Sequence, residues 1–506
     1  MIAFPAALSA QQPADLNRAA ATITEADVRR QIFIIADDSM KGRDTPSREL
    51  DLTAQYVAGQ FKKAGLKPGG EQGTWFQHYL IRRTSFDVAG SHVGFILNGH
   101  DQHVEFSRDA FWRESPIPAV EMGGPAVVIG GTLDPAGLGA VDLKGRTALL
   151  VLDYSKPRPT TVRQVLDTLI ARAAAVVIVT NRDTIQLAQV IARSTVPGVD
   201  RVTTPVAGKL EAPVVEVHER AISGILSSLS IDPARLRESA SMVVQQVPTL
   251  RVVIDAHERV IQESKAPNTI GILEGSDPVL KNEYLVFSAH MDHVGVAGPD
   301  GTGGCTAVGA DSICNGADDD GSGTVGVMEL AEAFGKRGVR PRRSVIFMTV
   351  SGEEKGLWGS EYFSEHPAVP LKQVVADLNI DMIGRNWKDT IVAIGREHSD
   401  LGTTLARVNA AHPELHMTAI DDRWPEENFY FRSDHFNFAR KGVPILFFFN
   451  GVHADYHQVS DSPDKLDAEK ESRILKLLFF LGQDVANGKD RPKWNPASYK
   501  KIVEGQ

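Results

Sequence analysis

From Val253 onward the chain alternates short, largely apolar runs with amphipathic helical stretches. The runs are YLVFSA at 284–289, SVIFMTV at 344–350, ADLNI at 376–380 and ILFFF at 445–449. Except in 376–380, where Asp377 and Asn379 alternate with apolar residues, these runs lack a polar alternate face, and such strands are buried on both sides, as in sheets covered by helices front and back. The intervening segments supply those covers. In 322–335, Val327, Leu330, Ala331 and Phe334 share one helical face, and Ile474, Leu477, Leu478, Leu481 and Val485 do so in a closing helix. The expected fold is α/β, a three-layer sandwich around a mixed, largely parallel central sheet.

At 506 residues the chain exceeds what one hydrophobic core usually organises, so a second unit is expected. Its texture changes between about 110 and 240, where β-rich runs (AVVIG, TALLVLDY, AAVVIVT, APVVEVHE) are separated by turn signals. The division is therefore a lead at 1–22, the first part of the main domain at 23–109, a small β-rich insert at 110–240, the remainder of the main domain at 241–490, and a tail at 491–506. Helical spacing runs from Ile23 to Leu66, stopped by Gly65 and Pro68. Between those helices Lys41 to Ser47 (KGRDTPS) reads as a turn that either reaches a cleft or lies on the surface, the surface being the favoured reading.

The net charge of -10 disfavours a nucleic-acid partner, because phosphate binding relies on a basic face. No run approaches the roughly 18 consecutive apolar residues of a membrane span. Residues 1–12 (MIAFPAALSAQQ) resemble the end of an export signal without its basic leader, an expectation of a periplasmic or secreted protein. Cys305 and Cys314 are too few for a disulfide-stapled scaffold or a zinc ribbon; two loop thiols and one local disulfide are both open.

Ligand sites in open α/β sheets form beyond the carboxyl ends of strands. There the sequence places His290-Met291-Asp292-His293, then Asp318-Asp319-Asp320 at a helix start, Glu353-Glu354, Asp381-Met382 and finally Tyr456-His457. Each has a plain alternative. The aspartates suit a helix cap, the glutamates a solvated turn, and a lone histidine a satisfied polar residue. Together they are adjacent like charges that a cation relieves. Nitrogen and oxygen donors suit zinc. Donors from five such places exceed what one catalytic zinc with an open position needs, and suit two.

These residues resemble the M28 family of zinc peptidases, whose aminopeptidases carry HxD, GADD, EE, D-M and a late histidine in this order. The likeness spans roughly residues 268–484, with Gly316-Ala317-Asp318-Asp319 as the GADD element. It implies a peptide substrate and two zinc ions per chain. His290 and Asp381 would hold one, Glu354 and His457 the other, and Asp318 would bridge them. It further implies Glu353 as general base, Asp292 as the carboxylate orienting His290, Tyr456 as oxyanion donor, and a cis peptide bond between Asp318 and Asp319. The insert is similar to a protease-associated (PA) domain on its strand pattern and on Asp142-Leu143-Lys144-Gly145-Arg146-Thr147. Arg432-Ser433-Asp434-His435 resembles a supporting family segment, and Phe429, Tyr430 and Phe431 read as core rather than pocket.

The activity expected is removal of N-terminal residues from peptides. A carboxypeptidase needs a cationic cluster for a free carboxylate, and the sequence points to none. A glutaminyl cyclase of the same fold uses a single zinc, and a non-catalytic relative normally loses ligands or the base.

Overall fold

The computed structural model describes residues 12–113, 117, 120–157, 159–203, 212–298 and 304–505. All but the last residue of the signal-like run at 1–12 lies outside them. The chain forms two compact units, one of Met1–Ile81 with Ser264–Gln506 and the other of Arg82–Glu263.

The first unit is built on strands β1 (Phe76–Phe86), β2 (Glu258–Leu273), β3 (Tyr284–His290), β4 (Ser344–Val350), β5 (Val374–Ile380), β6 (Thr390–Ile394), β7 (Thr418–Ile420) and β8 (Ile445–Phe448). They lie side by side in the order β7-β6-β8-β5-β3-β4-β2-β1. The centre is parallel: β3 pairs with β4 and β5, and β5 with β8. Antiparallel pairs of β2 with β4 and β6 with β8 make the sheet mixed.

Alternate residues of β3 enter two different cores, as the two-residue period of a strand requires. Leu285, Phe287 and Ala289 join Val28, Ile32, Phe61, Leu330, Phe334 and Leu478 on one side. Val286 joins Ile346, Phe363, Phe438 and Phe447 on the other. The first layer is helices α1 (Pro13–Ala20), α2 (Glu25–Ile35), α3 (Arg48–Lys63), α4 (Gly323–Gly335) and α5 (Ala468–Asn487). Their starts are encoded locally. The side chains of Thr24, Ser47 and Asp467 accept the N–H groups of Asp27, Leu50 and Lys470, so α2, α3 and α5 begin with a satisfied donor. Gly65, at φ +78°, takes the left-handed turn that ends α3. Among the described residues no helix is long and apolar enough to cross a membrane.

The second unit has its own sheet, in the order His100–Glu105, His92–Leu97, Met242–Asp255, Met122–Gly131, Thr147–Val151, Ala175–Thr180, Val214–His218 and Ala110–Trp112. Its extent differs from the 110–240 insert expected from sequence. Met242–Asp255 pairs on one side with His92–Leu97 and on the other with Met122–Gly131. That pairing carries segments before 110 and after 240 into this unit, with Val93, Phe95, Val252 and Ile254 in its core.

Candidate metal centre

Strands β3, β4, β5 and β8 end at one edge of the sheet, and the residues that follow them converge there. His290 closes β3, Glu353 and Glu354 follow β4, Asp381 follows β5, and His457 lies in the loop beyond β8. The aspartate run enters between them at the head of α4.

Two groups of donors result, each drawn together within 4.8 Å. The first is His290, Asp319 and Asp381; the second is His293, Asp319, Glu354 and His457. Asp319 belongs to both. His290 Nε2 lies 3.3 Å from Asp319 Oδ1 and 3.7 Å from Asp381 Oδ1. His457 Nε2 lies 3.1 Å from both Asp319 Oδ2 and Glu354 Oε2.

Close approach is not hydrogen bonding here. Asp319 Oδ2, Glu354 Oε1, Asp381 Oδ1, His457 Nε2 and both ring nitrogens of His293 are buried without a hydrogen-bond partner. Unpartnered buried polar atoms cost about 1–3 kcal/mol each, and several aimed at shared points are the pattern that a cation satisfies. The donor set therefore fits divalent metal, with the nitrogen and oxygen chemistry of zinc sites.

The three adjacent aspartates have three separate tasks. Asp318, expected as the shared acid, stands outside both groups. Its Oδ1 accepts the Gly384 N–H at 2.6 Å and its Oδ2 lies 3.2 Å from His453 Nε2. Asp320 caps α4, accepting from Gly323 N at 2.7 Å, and also takes the N–H groups of Met382 and His290. Only Asp319 faces the donors. The cis peptide bond likewise falls one residue later than expected, between Asp319 and Asp320. Asp461 Oδ2 accepts the N–H groups of Asp318 and Asp319 at 3.1 and 3.2 Å, fixing this backbone from outside the donor set.

His290 Nδ1 lies 3.1 Å from the Asp292 backbone carbonyl and 3.7 Å from its carboxylate. The carbonyl, rather than the carboxylate expected, is thus the nearer partner, and donation to it would leave Nε2 as the free donor atom. The Asp292 carboxylate instead accepts from Thr45 Oγ1 at 2.9 Å and from Glu353 N at 3.3 Å. Ser433 Oγ donates to Asp381 Oδ2 at 3.0 Å, giving the Arg432-Ser433 segment a specific contact.

The turn at Lys41 to Ser47 was expected at the surface, but its centre is buried. Arg43, with no exposed area, donates to the carbonyls of Ile35, Met291, Asn315 and Gly316. It thereby ties together the backbones leading into both donor segments. Gly42, at φ +63°, permits this approach: a Cβ there would sit 2.3 Å from the Cys314 carbonyl. Cys305 and Cys314 form a disulfide.

A hollow beside the donors is lined by Glu353, Met382, Phe429, Arg432, Phe447, Phe449 and Tyr456. Phe429, read as core, contributes to this wall, Tyr430 is buried, and Phe431 is exposed. Burial pushes the Glu353 carboxyl well above its usual range; Glu354, Asp434 and Asp381 add to this and His290 opposes it. Burial acts against the charged form of Asp319 too, but the imidazoles of His290, His293 and His457 outweigh it and hold that carboxyl well below its usual range. Tyr456 is raised by burial and by the carboxylates of Asp319 and Glu354, so it stays a phenol and a donor. A larger hollow in the second unit, ≈ 640 Å³, is lined by Phe111, Trp112, Arg182 and Arg193 among others, with no carboxylate or imidazole among the described residues of its lining.

His293 is the site residue that the sequence reading left without a role. Its signal was the second histidine of HMDH, three positions after His290.

Residues 268–481 match peptidase family M28. The chain is 26% identical over 259 residues to a probable leucine aminopeptidase of Arthroderma otae, covering 49% of this chain and 66% of the relative. It is 29% identical over 200 residues to leupeptin-inactivating enzyme 1 of Streptomyces exfoliatus, covering 39% of this chain and 38% of that protein. The chain thus spans just under two thirds of the probable leucine aminopeptidase's length. Among solved structures, an aminopeptidase from Aneurinibacillus sp. strain AM-1 aligns at a TM-score of 0.48 and 16% identity, over 95% of this chain and 98% of that one.

Proposed function

We propose that this chain, whose residues 268–481 belong to peptidase family M28, is a zinc-dependent aminopeptidase that holds two zinc ions and hydrolyses the first peptide bond of its substrates. The observation that carries this reading is the pair of donor groups sharing Asp319, with their inward atoms lacking hydrogen bonds. His290 and Asp381 would hold one ion, Glu354 and His457 the other, and Asp319 would serve both. Bound there, zinc supplies Lewis acidity toward a scissile carbonyl and acidifies water.

The remaining work falls to the chain's own groups. Glu353 lines the hollow and carries a carboxyl with raised proton affinity. It would accept the proton of the attacking water and return it to the leaving amine. Tyr456 lines the same hollow, its ring stacked 3.9 Å from that of His457, and would donate to the oxygen that gains charge. Asp292 positions rather than reacts: its carboxylate holds the Glu353 backbone N–H and its carbonyl accompanies His290.

An aminopeptidase is favoured by the likeness to a probable leucine aminopeptidase and by the wall of the hollow. Phe429, Phe447, Phe449 and Met382 suit an apolar first side chain. A carboxypeptidase is less well served. Among the described residues of that lining Arg432 is the one arginine or lysine, and it stands 3.3 Å from Glu427 with half its side chain exposed. The disulfide fits an oxidising compartment and so an exported protein.

Aminoacyl anilides and N-blocked peptides with free C-termini separate these activities. Turnover of leucyl and phenylalanyl anilides that is lost on chelation and restored by zinc supports the proposal. Turnover of only the N-blocked peptides refutes it.

A further inference from the structure

We infer that His293 is a fourth protein ligand at the cation position of Glu354 and His457, so that one position is closed by four side chains and the other is left open by three. The inference rests on the two-zinc reading above and concerns what distinguishes the two positions.

His293 has no exposed area, and neither ring nitrogen has a hydrogen-bond partner. An ordinary buried histidine would give one N–H to a carbonyl or carboxylate in good alignment. Here Nδ1 instead approaches two acids without such alignment, lying 2.9 Å from Glu354 Oε1 and 3.6 Å from Asp319 Oδ2. His457 Nε2 completes the group at 3.1 Å from each of the same two carboxylates. Zinc bonds of about 2.0–2.1 Å in a tetrahedron imply ligand atoms about 3.4 Å apart. The four observed separations scatter around that edge.

The backbone makes room for this placement. A Cβ on Gly316, at φ +57°, would lie 2.4 Å from His293 Cγ, so the ring occupies space that a side chain there would claim. The His293 N–H reaches the Arg43 carbonyl at 3.4 Å, linking the residue to the buried turn. The rings of His293 and His457 meet edge to face, 5.5 Å apart at 76°, leaving the nitrogens turned to the acids rather than stacked away.

A position with four protein ligands resembles a structural zinc site, whereas a catalytic one keeps a coordination place for water or substrate. All three donors of the group His290, Asp319 and Asp381 line the hollow, whereas of the other group the described lining includes Asp319. The open position therefore faces substrate, and the closed one anchors Asp319.

Two measurements test this. In crystals of zinc-loaded protein, anomalous scattering should place His293 Nδ1 within about 2.3 Å of an ion; a distance beyond about 3 Å overturns the inference while leaving two-zinc binding intact. In chelator titrations read by zinc content, the wild-type protein should release its ions in two steps. His293→Gln should weaken the tighter one by more than roughly 100-fold and leave the other unchanged. Release at wild-type chelator concentrations would show that His293 only packs, and circular dichroism of the metal-free variant checks that it folds. If it does not fold, the crystal distance decides. Wild-type protein that takes up no zinc would sink the two-zinc reading as well as this one.

Discussion

Thr45 Oγ1 donates to Asp292 Oδ2 at 2.9 Å while accepting the Gly352 N–H at 3.1 Å, so one buried hydroxyl joins the turn before α3 to the ends of both β3 and β4. Thr45→Val keeps the shape and removes the hydroxyl. An Asp292 oxygen and the Gly352 N–H each lose a partner, at about 1–3 kcal/mol of stability. Since Asp292 also holds the Glu353 backbone, kcat should fall about tenfold, with KM little changed. Thr45→Ser should restore both. Urea denaturation and steady-state kinetics on the three proteins check this, and equal stability of the valine variant would contradict it.

Glu353→Gln keeps the volume of the side chain and removes its basicity. Proton transfer by a positioned carboxylate is worth on the order of 10²–10⁴-fold, so kcat should drop by that range while zinc per chain stays at the wild-type value. A variant with undiminished kcat would rule out Glu353 as the proton carrier.

Asp318→Asn and Asp319→Asn distinguish neighbouring aspartates. Asp319 stands in both donor groups, so its amide variant should lose zinc from both positions. Asp318 pairs with His453 and Gly384 N; its variant should lose stability by about 1–3 kcal/mol and keep its zinc. Atomic absorption on dialysed protein reads the difference, and the opposite pattern would return the shared role to Asp318.

Much of this arrangement was legible beforehand, for identifiable reasons. The apolar runs at β3, β4 and β8 are free enough of polar alternation to announce buried strands, β5 carries Asp377 and Asn379 at alternate positions, and the charged residues after all four mark one edge of the sheet. Which of three successive aspartates turns inward was not legible. Backbone angles decide that: Asp319 (φ -101°, ψ 101°) and Asp320 (φ -114°, ψ 54°) are non-helical at the head of α4. Nor does composition reveal that Arg43, in a stretch of turn-forming residues, is buried by four carbonyls, three of them supplied from distant segments. The second unit's edges were misplaced because Met242–Asp255 gains its partners on both sides from non-local segments.

Glu329, within α4, gives the fold a pH dependence separable from that of the metal donors. Burial raises its carboxyl to about 8 against an ordinary 4.5, and Gln31 Nε2, from α2, donates to it. The folded protein thus binds this proton more tightly than the unfolded chain. Below about pH 4.5 both states hold the proton and the group has no net effect. Between about 4.5 and 8 the unfolded state releases it first, so stability falls as pH rises, levelling off above 8. Glu329→Gln is neutral throughout and keeps an oxygen to accept from Gln31. Its advantage over wild type should be small at pH 5 and, at about 1.4 kcal/mol per unit of displacement, grow to about 3 kcal/mol at pH 7. Because both proteins carry the same donor groups, subtracting their unfolding free energies at fixed zinc removes the metal's own pH dependence. A difference that stayed constant from pH 5 to 8 would show that Glu329 is ionised alike in both states.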